Sequence, residues 1–381
     1  MKGLPLLITL LLITLTVFVS GLLLPQFIPA RPSAPLHLIF ALGIMPLILG
    51  AMTYFVPVLT RTRNASFLAL APALLALVAG GLVSFSLFYA FSVYPFAAVI
   101  GLMAVIWQIS WIGQRKKEML GKPHPGLLWY QLALGALLLG LTAILAGYFL
   151  PDHWAAIRRL HLHINTLGFI GFTALGTLRV LLPTTGHYAD PQAGLWLSQQ
   201  WPWLVGGTLL IAVGAAWFTP LAFLGLICWL RPLVPLLKGL LITHRQAVWQ
   251  TNGATTPLAG AVLGLLLLIL SGGAHSLGWI APSQTTLAFI PLFLLPLVTG
   301  AATHLLPLWI TKAQQRDREQ LLRIILGQYS IWRTVLFMLG GLFILLGHTA
   351  GLFFILVGLG HFILLVLKIF LTSNPMAAKS E

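Results

Sequence analysis

Long apolar runs dominate this sequence and limit the folds that the chain can adopt. Many of them extend for roughly 20 residues, the length that a helix needs to cross the hydrocarbon core of a bilayer. The chain is 59% hydrophobic and 7% charged, so it has too few charged residues to cover a water-facing surface. A membrane β-barrel would instead show alternating segments of about ten residues. The sequence therefore predicts an all-α polytopic membrane protein in contact with the lipid bilayer.

About twelve transmembrane helices are predicted, which we number as spans 1 to 12. The division between spans 7 and 8, around Thr219 and Pro220, is the weakest of the boundaries. The spans lie near residues 3–24, 35–59, 66–90, 92–113, 127–150, 161–183, 203–219, 221–241, 257–279, 284–310, 331–348 and 350–371. The first apolar run is longer than the core of a typical signal peptide, so we expect it to be retained as a helix.

The net charge of +15 reflects membrane topology and does not indicate a nucleic-acid partner. Only Arg31, Arg158 and Arg159 fall on one side of the predicted spans, whereas the other 18 of the 21 Lys and Arg residues fall on the opposite side. This asymmetry is the positive-inside pattern. It places both termini in the cytoplasm and favours a multi-pass protein of a bacterial inner membrane. The oligomeric state has no signature in the sequence.

The sequence matches itself when it is shifted by 126 residues. SGLLLPQFIPARPSAPLH then aligns with AGYFLPDHWAAIRRLHLH without a gap, and at a shift of 250 GAMTYFVPV matches GAATHLLPL, with GTLRVLLPT between them. Chance similarity among Leu-rich helices is the alternative explanation. The pattern predicts a single transmembrane domain built from three four-helix repeats, near 1–126, 127–250 and 251–381, with pseudo-threefold symmetry about the membrane normal.

Two histidines, His37 and His163, fall on equivalent positions of spans 2 and 6 in this alignment. Neutral imidazole binds haem iron and copper, and histidine within a span usually marks a site. Two imidazoles at one depth can bind a b-type haem from both axial sides, so we predict His37 and His163, or a related pair that includes one of them, as haem ligands. The alternative is hydrogen bonding of each histidine to a loop or a headgroup.

His161 precedes His163 by two residues, which turns the two side chains about 200° apart on a helix. They cannot both bind one centre, so His161 either serves a second pocket or faces the wet interface. Asn165 either hydrogen-bonds to a ligating imidazole or caps the start of the helix.

A second metal centre, with copper as the candidate ion, is predicted from the remaining histidines of the outer half and of span 12. Its candidate ligands are His161, His275, His348 and His361. Whether these four share a site is open. The third repeat carries Leu287 where the first two carry histidine, so any metal ligand from this repeat must come from a different position.

Three further residues occupy nearly equivalent positions in the inner halves of spans 2, 6 and 10, namely Tyr54, Arg179 and His304. Arg179 could pair with a haem propionate, but we expect it to extend to the inner interface. His304 could be a ligand, although we favour the interpretation that it is a hydrogen-bonded residue of the core.

Twelve spans in three four-helix arcs, together with APLHLIFALG and RLHLHINTLGFIGFTALG, resemble subunit I of the haem-copper oxidases and the smaller NnrS-like relatives linked to nitric oxide stress. By this resemblance His37 ligates a low-spin haem, and the protein handles electrons or nitric oxide with a redox partner as donor.

The family's catalytic centre is incomplete in this sequence. WLVGGTLLIAVGAAW lacks the adjacent histidine pair, SQTTLAFI lacks the family's HxH, and Leu167 stands where a tyrosine would be needed for the His–Tyr crosslink. All six acidic residues are predicted to lie in loops or the tail, which argues against proton pumping. Two other functions stay open, a copper or haem carrier or assembly factor, and a solute transporter with incidental histidines.

Overall fold

The computed structural model describes residues 3–28, 31–89, 93–311 and 314–372. Every regular element in those ranges is helical. Eleven of these helices are long and apolar enough to cross a membrane, and one more apolar helix, Trp201–Ala216, is shorter. The prediction of an all-α polytopic membrane protein is therefore confirmed for the described part of the chain. The chain termini, predicted to be cytoplasmic, and residues 90 and 92, where spans 3 and 4 were expected to end and begin, lie outside it.

We label the apolar helices in chain order, keeping the numbering of the spans. They are α1 Leu4–Gln26, α2 Ala34–Thr60, α3 Phe67–Tyr89, α4 Tyr94–Lys117, α5 Gly126–Phe149, α6 Pro151–Gly186, α7 Trp201–Ala216, α8 Pro220–Thr243, α9 Thr255–Ser276, α10 Pro282–Ile310, α11 Arg316–Leu345 and α12 Gly351–Thr372. A short helix, Ala193–Gln199, precedes α7. All twelve predicted segments are thus present as helices.

Two helices begin well before the predicted boundaries, because hydrogen-bonded helix extends beyond the apolar run on which the prediction rested. α6 starts at Pro151, so that its 36 residues include the charged turn before His161. α11 starts at Arg316 and consists of an amphipathic helix, Arg316–Gly327, followed by the apolar helix Ser330–Leu345. Asp317 and Glu319, expected in a loop, lie in the first of these two helices.

The chain forms two compact units, which we describe separately. Unit 1 contains Met1–Val180 and Asp190–Pro232, and unit 2 contains Leu181–Ala189 and Leu233–Glu381. These boundaries differ from those of the three repeats inferred from the sequence, and the repeats stay a prediction.

Each of α2, α6 and α10 contains a π-helical segment. The segments are Leu38–Ile44, Ile164–Ile170 and Ile290–Leu294, so their first residues are spaced by 126 positions. Pro57, Pro183 and Pro307 lie in the α-helical part that follows each segment. A fourth π-helical segment, Gly239–Thr243, ends α8 and does not follow this spacing. Since π-helical turns are rare and concentrate at functional sites, these segments indicate where sites could be built. His37 and His163 directly precede the first two segments, and Phe289 precedes the third.

The π-helical segments pack closely against the helix that precedes them in the chain. In unit 1 the Thr14 hydroxyl donates to the Gly43 carbonyl at 3.1 Å, and a Cβ placed on Gly140 would lie 2.5 Å from the Asn165 side-chain nitrogen. In unit 2 a Cβ on Gly264 would collide with the Leu292 backbone. A glycine is therefore required at the approach of α9 to α10, whereas a larger residue at Gly140 would displace the Asn165 side chain.

Candidate functional site

The structure brings together His37 of α2 and His161 of α6 in unit 1. Their imidazole rings are nearly parallel, with 9° between the planes and 6.3 Å between the centroids. Both side chains are only partly exposed. Rings in face-to-face contact would be separated by about 3.5–4.0 Å, so the two imidazoles do not form a close stack.

Backbone carbonyls fix the tautomer of both imidazoles. The Nδ1 atom of His37 lies 2.9 Å from the Ser33 carbonyl oxygen, and Nδ1 of His161 lies 2.9 Å from the Gly140 carbonyl oxygen. A carbonyl oxygen can only accept, so each Nδ1 must donate its proton. The Nε2 atoms are left as lone-pair donors, which is the state that metal-ligating histidines adopt.

The ring separation matches that of two imidazoles bound on opposite sides of one metal ion. A metal–nitrogen bond is about 2.0–2.1 Å long and the centroid lies roughly 1.1 Å behind the nitrogen, which gives roughly 6.3 Å between centroids. The centroid separation and the small tilt are the two features that the pair shares with such two-sided coordination.

Asn165 lies beside the His161 imidazole. Its Nδ2 atom donates to the His161 carbonyl at 2.8 Å and lies 3.2 Å from the ring Nδ1. Its Oδ1 atom is buried without a hydrogen-bond partner in the described part of the structure. Because α6 begins at Pro151, Asn165 is well inside the helix, and the suggestion that it caps a helix start is wrong. Its contacts agree with the alternative, a supporting residue for His161.

His163, the expected partner of His37, is anchored in the same way as His37. Its Nδ1 atom lies 2.8 Å from the Arg159 carbonyl, four residues earlier in its own helix. Arg159 in turn donates from Nη2 to the Ala216 carbonyl at 3.0 Å, and Arg158 lies within electrostatic range of His37. The two rings that the structure places side by side are those of His37 and His161, a pair that includes one of the two predicted ligands.

The other candidate metal ligands are not assembled with His161. Nδ1 of His275 lies 3.0 Å from the Ile280 carbonyl, and His348 is exposed with its ring 6.0 Å from that of Phe343. The His361 ring lies 6.4 Å from the Tyr329 ring. Within the described ranges no three His, Cys, Asp or Glu side chains are placed to bind one metal ion. The copper centre proposed from these histidines stays a prediction.

Arg179 differs from its expected role at the inner interface. The side chain is 9% exposed and its Nη1 lies 2.8 Å from the Asp190 carboxylate, which is 8% exposed. The guanidinium also lies over the Trp196 ring, 5.3 Å from its centroid. Burial of a charge is tolerated here because the opposite charge is buried with it. Tyr54, the equivalent residue of α2, is partly exposed and its ring packs edge-on against Phe55.

His304, the third of these residues, lines a polar cavity of ≈ 1030 Å³ in unit 2 instead of filling a hydrogen-bonded core position. His187, Arg316, Glu319 and Arg323 also line it. The sequence reading did not anticipate this cavity. A signal was present in the spacing of polar residues along Arg316–Gly327, because positions three and four apart share one face of a helix.

No family model matches the sequence, and no curated protein matches it either. The resemblance to haem-copper oxidase subunit I therefore rests on the spans and histidines described above. Any function has to be argued from the site.

Proposed function

We propose that the chain is a haem-binding integral membrane protein in which His37 and His161 would hold a b-type haem. The observation that carries the proposal is the placement of two nearly parallel imidazoles 6.3 Å apart, each with Nδ1 tied to a carbonyl oxygen. The residues fit the group, because both Nε2 atoms are available as ligands and the spacing equals that of two-sided coordination.

A haem held by His37 and His161 would supply one-electron chemistry. The residues around it orient the ligands. The carbonyls of Ser33 and Gly140 fix the imidazole tautomers and raise their basicity. The buried Oδ1 of Asn165 lacks a partner among the described residues and is available to a donor beside the centre.

The proposed architecture is that of haem-copper oxidase subunit I or its NnrS-like relatives, with three four-helix repeats in a bacterial inner membrane and both termini cytoplasmic. The recurrence of a π-helical segment at 38, 164 and 290 supports the repeat. In a rotationally repeated bundle, equivalent residues face equivalent gaps and not one shared gap. His37 would therefore need a partner from a non-equivalent position, as His161 is.

We infer a role in electron transfer or nitric oxide handling with a redox partner as electron donor, and no proton pumping. The decisive experiment is a reduced-minus-oxidised absorption spectrum, with haem content determined on protein purified from haem-replete cells. We expect one haem b per chain in the wild type and its loss in both His37→Ala and His161→Ala. His153→Ala is the matched control, because His153 is an exposed residue at the start of α6 and its removal should leave the spectrum unchanged. A colourless wild-type preparation would refute the proposal.

A second candidate function, a copper carrier or assembly factor, is favoured by the same geometry, because two imidazoles are also sufficient to hold one copper(I) ion. Anaerobic copper(I) titration followed by metal analysis distinguishes the two. Stoichiometric copper that depends on His37 and His161, in protein that takes up no haem, would favour the carrier.

A further inference from the structure

The polar cavity in unit 2 is lined entirely by residues of that unit. It is formed by the end of α6 and the turn after it, the segment before α9, the middle of α10, and the amphipathic first half of α11. Fourteen of its seventeen lining residues can hydrogen-bond or carry charge. A cavity with so many polar groups is built for a polar occupant.

One face of the helix Arg316–Gly327 points into the cavity. Arg316, Glu319, Gln320, Arg323 and Ile324 line it, and they follow one another at spacings of three, one, three and one residue. The opposite face is buried and apolar, and contributes Leu322, Ile325 and Leu326 to the core of the unit. The polar face is therefore held in place by packing behind it.

The charges on this face are only partly balanced. Arg323 pairs through Nη2 with Glu319 at 2.6 Å, but its Nε is buried and has no partner among the described residues. Arg316 forms no ion pair within the described ranges. Two guanidinium groups thus face one carboxylate, and the second guanidinium has capacity for a further anion.

Two imidazoles add donors to the same region. His304 lies within electrostatic range of both Arg323 and His187. Neither histidine is hydrogen-bonded to a described residue, in contrast to the outer histidines whose Nδ1 atoms are bound to carbonyls. Both rings are therefore free to turn a nitrogen–hydrogen group towards an occupant.

A third arginine of the unit, Arg333, follows Tyr329 of the cavity lining by one helical turn. It is 1% exposed and has Nε, Nη1 and Nη2 all without hydrogen-bond partners among the described residues. Its guanidinium lies 4.8 Å from the centroid of the Phe362 ring. A charge without a hydrogen-bond partner in such a place is costly.

We propose that this cavity binds a phosphate-bearing organic molecule through Arg316, Arg323, His304 and His187. Arginine matches phosphate with paired hydrogen bonds, and charge-assisted bonds of this kind are the strongest that side chains form. The cavity is much larger than one phosphate group and falls at the upper end of the volumes of small-molecule sites. The amide and hydroxyl groups of the wall would contact the remainder of the molecule. A lipid headgroup and a soluble phosphate ester share this chemistry.

The first test uses inorganic pyrophosphate as the soluble probe. Its affinity for purified full-length protein in neutral detergent is measured by isothermal titration, for the wild type and for Arg316→Gln, Arg323→Gln and Arg318→Gln. Arg318 belongs to the same helix but does not line the cavity, so its replacement removes equal charge elsewhere. We expect a roughly tenfold or greater loss of affinity in the first two variants and little change in the control.

The second test separates the lipid source from the soluble one. Protein is exchanged into mixtures of phosphatidylglycerol and phosphatidylcholine, and the lipids retained after delipidation are counted by native mass spectrometry. Retention of one phosphatidylglycerol that is lost in Arg316→Gln, with no pyrophosphate binding, identifies a headgroup site. Pyrophosphate binding without selective lipid retention identifies a soluble ligand, and both results support the proposal.

Two results would overturn it. One is that neither probe binds the wild type. The other is that Arg318→Gln weakens binding as much as Arg316→Gln, because the effect would then be general electrostatic attraction. Arg316 forms no ion pair among the described residues, so Arg316→Gln tests the proposal without disturbing the Arg323–Glu319 pair, and helical circular dichroism verifies that each variant folds. The proposal does not depend on haem, whose absorption spectrum gives a separate readout.

Discussion

The histidines of unit 1 and unit 2 differ in whether their imidazole rings are hydrogen-bonded to the backbone. In unit 1 each imidazole of the His37–His161 pair is anchored by Nδ1 on a backbone carbonyl, so the ring orientation and the tautomer are fixed. In unit 2 His187 and His304 lack such anchors among the described residues and stand beside arginine. A fixed ring with a free lone pair suits a metal, whereas a ring free to present a nitrogen–hydrogen group suits an anion.

The ion pairs of the two units also differ, in how far their side chains are exposed. Arg179–Asp190 in unit 1 is closed, with both side chains less than a tenth exposed. The Arg323–Glu319 pair in unit 2 is open to solvent, because its side chains are 31% and 23% exposed, and both residues line the cavity. Burial makes the first pair a structural element, while exposure leaves the second able to exchange partners.

The largest expected effect concerns which histidine of the HxH binds. We expect His161→Ala to abolish the haem spectrum, because one of two axial ligands is lost, and His163→Ala to retain it. Absorption spectra of the two purified variants check this directly. If the haem spectrum is lost in His163→Ala and retained in His161→Ala, the ligands are instead the two equivalent histidines, His37 and His163.

The second expected effect separates the closed ion pair from the open one. Arg179→Met should lower the free energy of unfolding by about 3–5 kcal/mol, since it leaves a buried carboxylate unpaired. Arg323→Met should cost about 1 kcal/mol or less, while impairing pyrophosphate binding. Unfolding in detergent, followed by circular dichroism, gives both values. Equal losses of stability would show that the two pairs do not differ in role.

The third effect tests the support of His161 by α5. In Gly140→Ala the added methyl group would lie 2.5 Å from the Asn165 amide nitrogen, so we expect about 1–3 kcal/mol of destabilisation and a perturbed spectrum. Gly135→Ala on the same helix has open space around it and should be neutral or stabilising by up to about 1 kcal/mol. If the two variants behave alike, the close approach of α5 to α6 is not what positions His161.

The smallest effect concerns His304 in the cavity. His304→Gln should weaken pyrophosphate binding roughly 2- to 10-fold, as expected for one hydrogen bond, and should leave any haem spectrum unchanged. Titration and spectroscopy on the same preparation provide the two measurements. A changed spectrum with unchanged pyrophosphate affinity would contradict the separation of the two chemistries.

The sequence was sufficient for the membrane class and for the approximate position of all twelve helices, because apolar length is a local property. It was less informative about where amphipathic helix continues beyond the apolar run, as at Pro151 and Arg316. Helix propagation depends on backbone hydrogen bonds, and a charged turn does not interrupt them.

The candidate site was predicted in part. His37 and the presence of a partner on α6 followed from the repeat alignment and the cost of histidine in a span. The choice of His161 over His163 did not, because the alignment compares depth along a helix but carries no information on which gap a side chain faces. The cavity was missed because its arginines and histidines come from segments far apart in the chain, such as His187 and Arg323.

The π-helical segments also have a consequence for how the chain can change in length. The segment of α10 contains five residues where those of α2 and α6 contain seven, yet Pro307 keeps its place in the helix that follows it. We therefore expect each segment to accept a change in length better than the α-helix that follows it. Insertions and deletions in α2, α6 and α10 of related chains should concentrate there, and a two-residue deletion within Ile164–Ile170 should be tolerated better than one in Gly171–Gly186.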